Sequence, residues 1–361
     1  MSELRIEELT VGYGQDAVLR QVNLHLQCGE YACLLGRSGS GKSTLLGAVA
    51  GFVQPGQGRI VIGESTVCDA TAGVSIPPQA RGLGMVFQES TLWPHLSVID
   101  NILFPLRSRG LPARPQQAEA LLERVGLAGL GARKPAALSG GQRQRVAICR
   151  ALSARPALVL LDEPLSAVDG LTREELRSYL QNLFADSGTT ALHVTHDPAE
   201  AFALGHRVGV LDQGRLAQWD TPQALYHQPA SEVVAGLTGQ FRTVDVMAEP
   251  AGPGLARIWF DDREWQCPAH PQVSVGPARL VLRPESIRLT DRRGAWRLLK
   301  RRFEAGHFHI EAQHPCGDRI HGLSTHNLQL DAVAIGLVPE HCWLLPPVEA
   351  KPLAAATDII Q

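Results

Sequence analysis

The sequence lacks any apolar run of the roughly 20 residues that a membrane-spanning helix requires. Its N-terminal segment, MSELRIEELTVGYG, carries acidic residues where a secretory signal peptide would carry positive charge and an apolar core. The seven cysteines are scattered, odd in number and without a CxxC pair, which argues against a disulfide framework or a zinc site. We therefore expect a cytosolic protein whose cysteines are reduced thiols. Another chain would have to supply any membrane channel.

Charge of one sign is also lacking. Lys and Arg number 34 and Asp and Glu number 36, so the formal net charge of −2 does not indicate nucleic acid or an anionic membrane surface as a partner. The 35 Gly and 24 Pro are spread over turns, and we expect disorder only near the C-terminal end.

A chain of 361 residues is longer than a single hydrophobic core usually accommodates, so two domains are expected, at 1–237 and 238–361.

The first part of the chain has the pattern of an α/β domain. Residues 4–9 and 18–27 alternate apolar and polar side chains, as half-buried antiparallel strands do. The apolar run 31–36 is followed by a glycine loop and then by the helical spacing of TLLGAVAGF. Residues 88–155 predict a mostly helical subdomain. Further buried parallel strands are predicted at 157–161, 190–196 and 207–214.

After about Leu237 the pattern changes to short alternating strands with frequent Pro and Gly. Examples are LARIWFDD, ARLVLRPESIRL and FHIEAQ, and no long helix is apparent there. Short strands of this kind are typical of small barrels. We therefore expect residues 238–361 to form a small all-β, OB-like barrel domain.

The segment GRSGSGKS at 36–43 fits the G-x-x-x-x-G-K-[ST] phosphate-binding loop in its required place between a strand and a helix. Glycines let consecutive backbone N–H groups face phosphate oxygens, and the positive end of the helix adds to the attraction. Lys42 is expected to reach the β- and γ-phosphates, and the Ser43 hydroxyl to ligate Mg²⁺. A glycine-rich turn that fits by chance is the alternative. The residues expected to contact the nucleotide are Gly36, Arg37, Ser38, Gly39, Ser40, Gly41, Lys42, Ser43 and Thr44.

An acidic pair follows the buried strand of ALVLLDEP, where nucleotide sites in α/β sheets lie. Asp162 is expected to hold the Mg²⁺ shell, and Glu163 to polarise the attacking water. An acidic pair after a strand can also cap a helix. The phosphate loop elsewhere in the same chain favours the catalytic interpretation.

The segment LSGGQRQRV at 138–146 distinguishes this chain from other nucleotide enzymes. Ser139 and the two following glycines precede a helix predicted over 143–154 and form a second anion-binding nest. One chain cannot easily bring two nests to one phosphate from opposite sides, whereas two chains can. The segment closely resembles the signature motif of ABC ATPases. The motif order agrees over about residues 1–237: Tyr13, GRSGSGKST, Gln88, LSGGQ, LLDEP, SAVD and His196.

The resemblance implies a mechanism that needs two copies of the chain. The copies would close head to tail over two ATP molecules, and hydrolysis would reopen them. The signature of one copy would cap the phosphate loop of the other. The signature residues implied to contact the nucleotide are Ser139, Gly140, Gly141 and Gln142.

The resemblance also implies roles for residues outside these loops. Tyr13 would stack on adenine, and Gln88 would approach Mg²⁺ and the water while sensing the transmembrane partner. His196 would touch the γ-phosphate, and Asp169 would bridge the two subunits. By themselves Tyr13, Gln88 and His196 would be a surface tyrosine, a solvated loop residue and a structural histidine. SAVD departs mildly from the usual SALD at Val168.

Two segments point to an importer. Residues 88–106, QESTLWPHLSVIDNILFPL, resemble the F-P-H-L-T-V-x-x-N-I pattern of importer ATPases, which implies a docking face for coupling helices of the permease. A plain helix start with Trp93 and Leu96 in a core is the alternative. VLRPESIRL at 281–289 resembles the R-P-E-x-I-R-L motif of a small β-domain appended to importer ATPases. Alone, Arg283 and Glu285 could form a surface ion pair of little energetic value.

These resemblances imply the ATP-hydrolysing subunit of an ABC importer, peripheral at the cytoplasmic face of the inner membrane. ATP and Mg²⁺ would be its cofactors, and a second copy and transmembrane permease subunits its partners, with a periplasmic solute-binding protein involved indirectly. Residues 88–106 and ALYHQPAS at 224–231 are nearest to ferric-iron importers, so ferric iron is the expected cargo. Polyamine, sulfate, sugar and phosphonate are the alternatives.

Other classes fit less well. A soluble ABC ATPase of DNA repair would need a long coiled-coil insertion, and no sustained heptads occur. Translation versions usually carry two cassettes, and a P-loop kinase would not explain LSGGQ. The basic run 292–302 alternates with apolar residues, which favours a solvated strand face over a nucleic-acid patch.

Histidine is frequent in the C-terminal part of the chain. His307 and His309 would share one face of a strand, so a metal-sensing site is one hypothesis. No spacing matches a known ligand frame, which favours a barrel that merely contains histidines. The His and Cys residues concerned are His307, His309, His314, His321, His326, His341, Cys316 and Cys342.

Overall fold

A computed structural model describes residues 2–13, 16–166, 170–290, 292–328 and 330–347. The chain divides into two compact units, Met1–Leu225 and Tyr226–Gln361. Residues 226–237 therefore group with the second unit, although the sequence suggested a boundary after 237. Of the helices in the described ranges, none has both the length and the apolar character needed to cross a membrane.

The first unit contains two sheets. Its described strands are β1 (Leu4–Tyr13), β2 (Asp16–Leu26), β3 (Tyr31–Leu35), β4 (Gln57–Ile62), β5 (Ser65–Asp69), β6 (Val74–Ser75), β7 (Gly84–Val86), β8 (Val159–Asp162), β9 (Ala191–Thr195), β10 (Arg207–Asp212) and β11 (Arg215–Asp220). One sheet is antiparallel, in the order β2-β1-β4-β5-β6. The other has the order β11-β10-β3-β9-β8-β7 and is parallel except for β11.

Helices connect these strands. The α-helices are α1 (Lys42–Ala50), α2 (Val98–Ser108), α3 (Pro115–Arg124), α4 (Gly140–Ser153), α5 (Gly170–Ser187), α6 (Pro198–Leu204), α7 (Pro222–His227) and α8 (Glu232–Thr238). Short 3-10 helices lie at Pro78–Ala80, Pro135–Ala137, Pro284–Ser286 and Pro339–His341. Between β7 and β8 the described chain is helical, with α2, α3 and α4 in the segment where the sequence predicts a helical subdomain.

The helix α4 begins three residues earlier than the sequence suggested, at Gly140 rather than Arg143. Ser139 caps it, because its hydroxyl accepts a hydrogen bond from the Gln142 N–H at 3.2 Å. The Gln142 side chain accepts in return from the Ser139 N–H at 3.0 Å. The signature residues after Ser139 are therefore the first turn of the helix.

The apolar core of the first unit contains most of α1. Seven of its nine residues are buried, so only its N-terminal end is free to meet a ligand. The core also includes side chains of both sheets, such as Leu9 on β1 and Leu34 on β3. The phosphate loop that precedes α1 is therefore supported by a rigid element.

After α8 the second unit consists of strands and two short 3-10 helices in the described ranges. Its strands are β12 (Arg242–Pro250), β13 (Leu255–Phe260), β14 (Arg263–Pro268), β15 (Gly276–Leu282), β16 (Ile287–Thr290), β17 (Trp296–Glu304), β18 (His307–Gln313), β19 (Arg319–Ser324), β20 (Ala332–Leu337) and β21 (Trp343–Leu345). β14-β13-β12-β15-β21 form an antiparallel sheet, and β16-β19-β18-β17-β20 close into a barrel. The predicted α/β domain and β-barrel are both confirmed, and a five-stranded sheet accompanies the barrel.

The basic run 292–302 overlaps β17, whose residues after Trp296 are mostly exposed. The surface ion pair suggested for Arg283 is wrong, because this side chain is only 2% exposed. Its guanidinium donates to the Ala235 and Tyr226 carbonyls, each at 3.0 Å, and to the Thr238 hydroxyl at 2.8 Å. It also lies 4.1 Å from the centre of the Tyr226 ring. These contacts explain why residues 226–238 belong to the second unit.

We expect Arg283→Ala to lower the free energy of unfolding of the second unit by about 3 kcal/mol or more, because several buried acceptors would lose their donor. The measurement is a urea titration of the full chain followed by tryptophan fluorescence. Arg257→Ala removes an exposed side chain paired with Glu264 and is the control, with an expected change below about 0.5 kcal/mol. Equal effects of both substitutions would contradict this account of Arg283.

Candidate active site

An open cleft of about 650 Å³ lies where the phosphate loop meets the carboxyl ends of β8 and β9. Parallel strands of an α/β sheet place their ligand sites at this edge. The lining residues are Val18, Ser38, Gly39, Gly41, Lys42, Ser43, Thr44, Gln88, Glu163 and His196. Residues from 18 to 196, about half the sequence, thus meet in one place.

The loop needs glycine at two positions for different reasons. A Cβ at Gly36 would lie 2.4 Å from the Leu211 carbonyl oxygen and 2.6 Å from the Ser40 hydroxyl. Gly41 has φ +104° where α1 begins, a conformation that other residues rarely adopt. The exposed residues Arg37 and Ser38 follow Gly36, whereas Ser40 is buried and does not line the cleft.

Lys42 is the first residue of α1, and its ammonium group lies inside the loop. Its Nζ donates to the carbonyl oxygens of Gly36 at 2.8 Å and Arg37 at 3.0 Å. Burial lowers the pKa of Lys42, and the carboxylates of Glu163 and Asp162 counteract that shift. The cation is therefore fixed at the base of the cleft, where a phosphate chain would need it.

Ser43 and Asp162 come from α1 and β8 and meet beside the cleft. The Ser43 hydroxyl donates to the Asp162 carboxylate at 3.3 Å. Burial raises the pKa of Asp162, while the Ser43 hydrogen bond acts in the opposite direction. Asp162 does not itself line the cleft, but its carboxylate is joined to a hydroxyl that does.

Glu163 has a strained backbone. Its φ is +42°, in the left-handed region that a non-glycine residue rarely occupies. Its N–H donates to the Val194 carbonyl at 2.9 Å, and its own carbonyl accepts from the Ser166 hydroxyl at 2.9 Å. Strain of this kind is typical of functional sites and persists because the surroundings impose it.

His196 follows β9 directly. Its Nδ1 lies 3.2 Å from the Glu163 Oε2, and its side chain is 63% exposed. Gln88, on the loop after β7, is also exposed and lines the same cleft. Glu163, His196 and Gln88 therefore share the space where a terminal phosphate and a water molecule would react.

Other predicted site residues do not line this cleft. In the part of the chain that the structure describes, the cleft is not lined by the signature residues Ser139, Gly140, Gly141 and Gln142. These residues form the start of α4 instead. Tyr13 ends β1, but its side chain lies outside the described residues, as does all of Asp169. Within the described ranges, no group of three or more His, Cys, Asp or Glu side chains is arranged to hold a metal ion.

The sequence did not single out Val18, which lines the cleft from β2. A valine in an alternating strand carries no signal of such a position. A buried polar group behind the cleft was also missed. There His193 of β9 is fully buried, and its Nδ1 lies 2.9 Å from the Tyr31 hydroxyl of β3.

The fold and the cleft define a P-loop protein that binds nucleotide at the carboxyl edge of a mainly parallel sheet. Residues 19–166 match the family described as ABC transporter. The spermidine/putrescine import ATP-binding protein of Pseudomonas aeruginosa is 45% identical over 79% of this chain and 78% of that protein. The Fe(3+) ions import ATP-binding protein of Streptomyces avermitilis is 43% identical over 80% of each chain.

The similarity covers nearly the whole chain and includes known structures. The maltose/maltodextrin import ATP-binding protein of Escherichia coli is 36% identical over 95% of each chain. The dimeric structure of an ATP-binding cassette in a post-hydrolysis state, bound to ADP and Pi, covers 60% of this chain and 98% of its own, with 31% identity and a TM-score of 0.52. The chain belongs to the ABC transporter family, in its group of import ATP-binding proteins. It binds and hydrolyses ATP.

The buried His193 makes stability depend on pH. Burial lowers its pKa from the ordinary 6.5 to about 3, so the folded chain takes up this proton less readily than the unfolded chain. The stabilising contribution is complete above about pH 6.5 and is lost as the pH falls below it, by about 1.4 kcal/mol per pH unit. We expect His193→Gln to remove this loss between about pH 7.5 and about pH 5.5.

Urea unfolding of the full chain at the two pH values measures the effect. His95→Gln is the control, because His95 is exposed in the same unit and should leave the pH dependence unchanged. The same pH dependence in the wild type and in His193→Gln would contradict the assignment.

Proposed function

We propose that the chain is the ATP-driven motor of an uptake system, with ferric iron as its cargo, and that its cleft is one half of a two-chain hydrolysis site. The observation that carries the proposal is the contact of Glu163 with His196, at 3.2 Å, opposite the phosphate loop. The Glu163 carboxylate, the His196 imidazole and the Lys42 ammonium group then surround one point of the cleft. That arrangement suits attack of water on a terminal phosphate.

The phosphate loop binds and orients the triphosphate. Backbone N–H groups of residues 38–43 and the N-terminal end of α1 attract the phosphate oxygens. Lys42 compensates their charge, and Thr44 lines the cleft next to Ser43. Tyr13 is proposed to stack on the adenine, in line with its position in the ABC motif order.

A divalent cation fits the residues present. The Ser43 hydroxyl and the Asp162 carboxylate lie 3.3 Å apart, and the Gln88 side chain lines the same cleft. Mg²⁺ prefers one or two protein oxygens with phosphates and waters completing its shell. These three residues would hold Mg²⁺, which would neutralise charge on the phosphates.

Glu163 accepts the proton of the attacking water in this proposal. Its carboxylate is half-buried, and its strained backbone holds it at the end of β8. His196 donates a hydrogen bond to the γ-phosphate and keeps the carboxylate oriented. Gln88 positions the water from the opposite loop.

The proposed site is completed by a second copy of the chain. The signature nest at the start of α4 is away from the cleft of its own chain, with Ser139 and Gly140 exposed. The Ser139 and Gln142 N–H groups take part in the cap, and the N–H groups of Gly140 and Gly141 at the helix start suit an anion from another molecule. ATP held between the two copies would favour their closed state, because it binds that state with more contacts. Asp169 is proposed to bridge the copies.

A groove beside the cleft is the proposed docking face for the permease. Trp93, Phe87 and Pro105 line it, and the Trp93 ring is 4.8 Å from the Arg150 guanidinium. Phe87 is 37% exposed. Because Phe87 lines the groove and its neighbour Gln88 lines the cleft, a coupling helix of the permease in the groove could sense the nucleotide. Docking there would make the chain peripheral at the cytoplasmic face of the inner membrane.

The cargo would be delivered by a periplasmic solute-binding protein and selected together with the permease. Ferric iron is proposed from the resemblance of residues 88–106 and 224–231 to ferric-iron importers. A polyamine is the second candidate, because the spermidine/putrescine relative is 45% identical to this chain.

We expect Glu163→Gln to bind ATP but to hydrolyse it at least about 100-fold more slowly, because the amide cannot accept the water's proton. Unable to hydrolyse, the variant should accumulate as an ATP-bound dimer. Phosphate release and size-exclusion chromatography with ATP measure the two effects. Glu175→Gln, an exposed position outside the cleft, is the control. A monomeric and fully active Glu163→Gln chain would rule out the proposed mechanism.

We expect the tagged full chain to recover permease subunits from solubilised membranes. Phe87→Ser should reduce that recovery, because it removes an apolar contact at the groove. Phe303→Ser changes a phenylalanine that is 63% exposed in the second unit and is the control. Recovery of DNA or ribosomes in place of a permease would argue for a soluble ABC ATPase instead.

The cargo is tested by uptake in cells that lack the chain. Uptake of labelled ferric iron should fall and return with the wild-type gene, but not with Glu163→Gln. Uptake of labelled spermidine, sulfate and maltose should be unchanged. Loss of spermidine uptake with normal iron uptake would replace iron by a polyamine and leave the motor assignment intact.

A further inference from the structure

Glu200 is a buried carboxylate that does not line the nucleotide cleft. It lies in the first turn of α6 and is only 4% exposed. Burial raises its pKa, and a hydrogen bond from Thr195 acts in the opposite direction. A buried carboxylate is costly unless hydrogen bonds compensate it, so its contacts indicate what it does.

Those contacts hold the turn that carries His196. The Thr195 hydroxyl donates to the Glu200 Oε2 at 2.6 Å. The same hydroxyl oxygen accepts from the Asp197 N–H at 3.0 Å. The Asp197 carboxylate in turn accepts from the Ala199 N–H at 2.8 Å and caps α6. Both sequence neighbours of His196 are therefore anchored, one of them directly by Glu200.

The anchoring matters because packing does little to hold the His196 ring. That side chain is 63% exposed, yet its Nδ1 must lie within hydrogen-bond reach of the Glu163 carboxylate, 3.2 Å away. With an exposed side chain, the direction of the ring depends on the backbone at 195–197. A shift of about 1 Å at such a contact can cost about 100-fold in rate.

A second contact extends from the same carboxylate towards the phosphate loop. The His193 Nε2 lies 3.9 Å from the Glu200 Oε2 and has no hydrogen-bond partner among the described residues. On its other side, the His193 Nδ1 is 2.9 Å from the Tyr31 hydroxyl. Tyr31 begins β3, the strand that ends at the phosphate loop. Glu200 thus lies between the His196 turn and the base of the loop strand.

We propose that Glu200 is a positioning residue that holds the 195–197 turn through Thr195 and thereby directs His196 towards Glu163 during ATP hydrolysis. This inference rests on the role proposed above for His196. Glu200 acts through other residues, since its own side chain does not line the cleft.

The test is a comparison of matched substitutions in the full chain. Glu200→Ala removes the acceptor, and kcat for ATP should fall about 10- to 100-fold while KM changes less than about twofold. Glu200→Gln keeps an acceptor oxygen and should restore most of kcat. Thr195→Ser should behave as the wild type, and Thr195→Val should behave as Glu200→Ala. If Glu200→Ala does not fold, as judged by circular dichroism, the Thr195 pair and Glu200→Gln carry the test.

A double substitution separates positioning from general stability. In a His196→Ala chain, adding Glu200→Ala or Thr195→Val should lower kcat by less than about twofold, because the residue they position is already gone. A further loss of about 10-fold in the kcat of the double variant would overturn the inference. So would a normal kcat in Glu200→Ala or Thr195→Val when His196→Ala is inactive. A normal kcat in His196→Ala itself would instead refute the role proposed for His196.

Discussion

Parallel pairing of β8, β9 and β3 is the constraint on which the site depends. Leu35 pairs with Thr195 and Asp162 with Val194, so the three strands end at nearly the same level. The next residues in the chain, Gly36, His196 and Glu163, therefore emerge at one edge of the sheet. The strain at Glu163 is tolerated there because its N–H remains bonded to the Val194 carbonyl on the neighbouring strand.

The interior behind this edge combines two kinds of support. On one side, α1 is packed into the apolar core, and the phosphate loop leads into this rigid helix. On the other side lies a buried polar group in which the Tyr31 hydroxyl contacts His193 and Thr195 donates to Glu200, beside the turn carrying His196. Apolar packing holds the helix after the phosphate loop, while hydrogen bonds hold the turn that carries the exposed imidazole.

The first unit contains two helix starts with the sequence pattern of an anion-binding site, and only one of them lines its own cleft. The loop before α1 lines the cleft, whereas the capped start of α4 does not. This separation fits a site shared by two copies, and Phe87 next to Gln88 gives that site a direct connection to the apolar groove. The second unit is organised separately, around a buried arginine that holds the helical segment before β12.

The sequence alone determined what depends on local backbone geometry. The phosphate loop at 36–44, the Asp162–Glu163 pair and the signature at 138–142 could be recognised, because each is a short pattern of neighbouring residues. The start of α4 was wrong by one turn, because the cap, not the apolar pattern, decides where a helix begins. Only the tertiary structure decided that Arg283 is buried, that Val18 lines the cleft and that Glu200 accepts a hydrogen bond from Thr195, the residue before His196. Those positions depend on side chains from different strands and helices, whose approach no local pattern encodes.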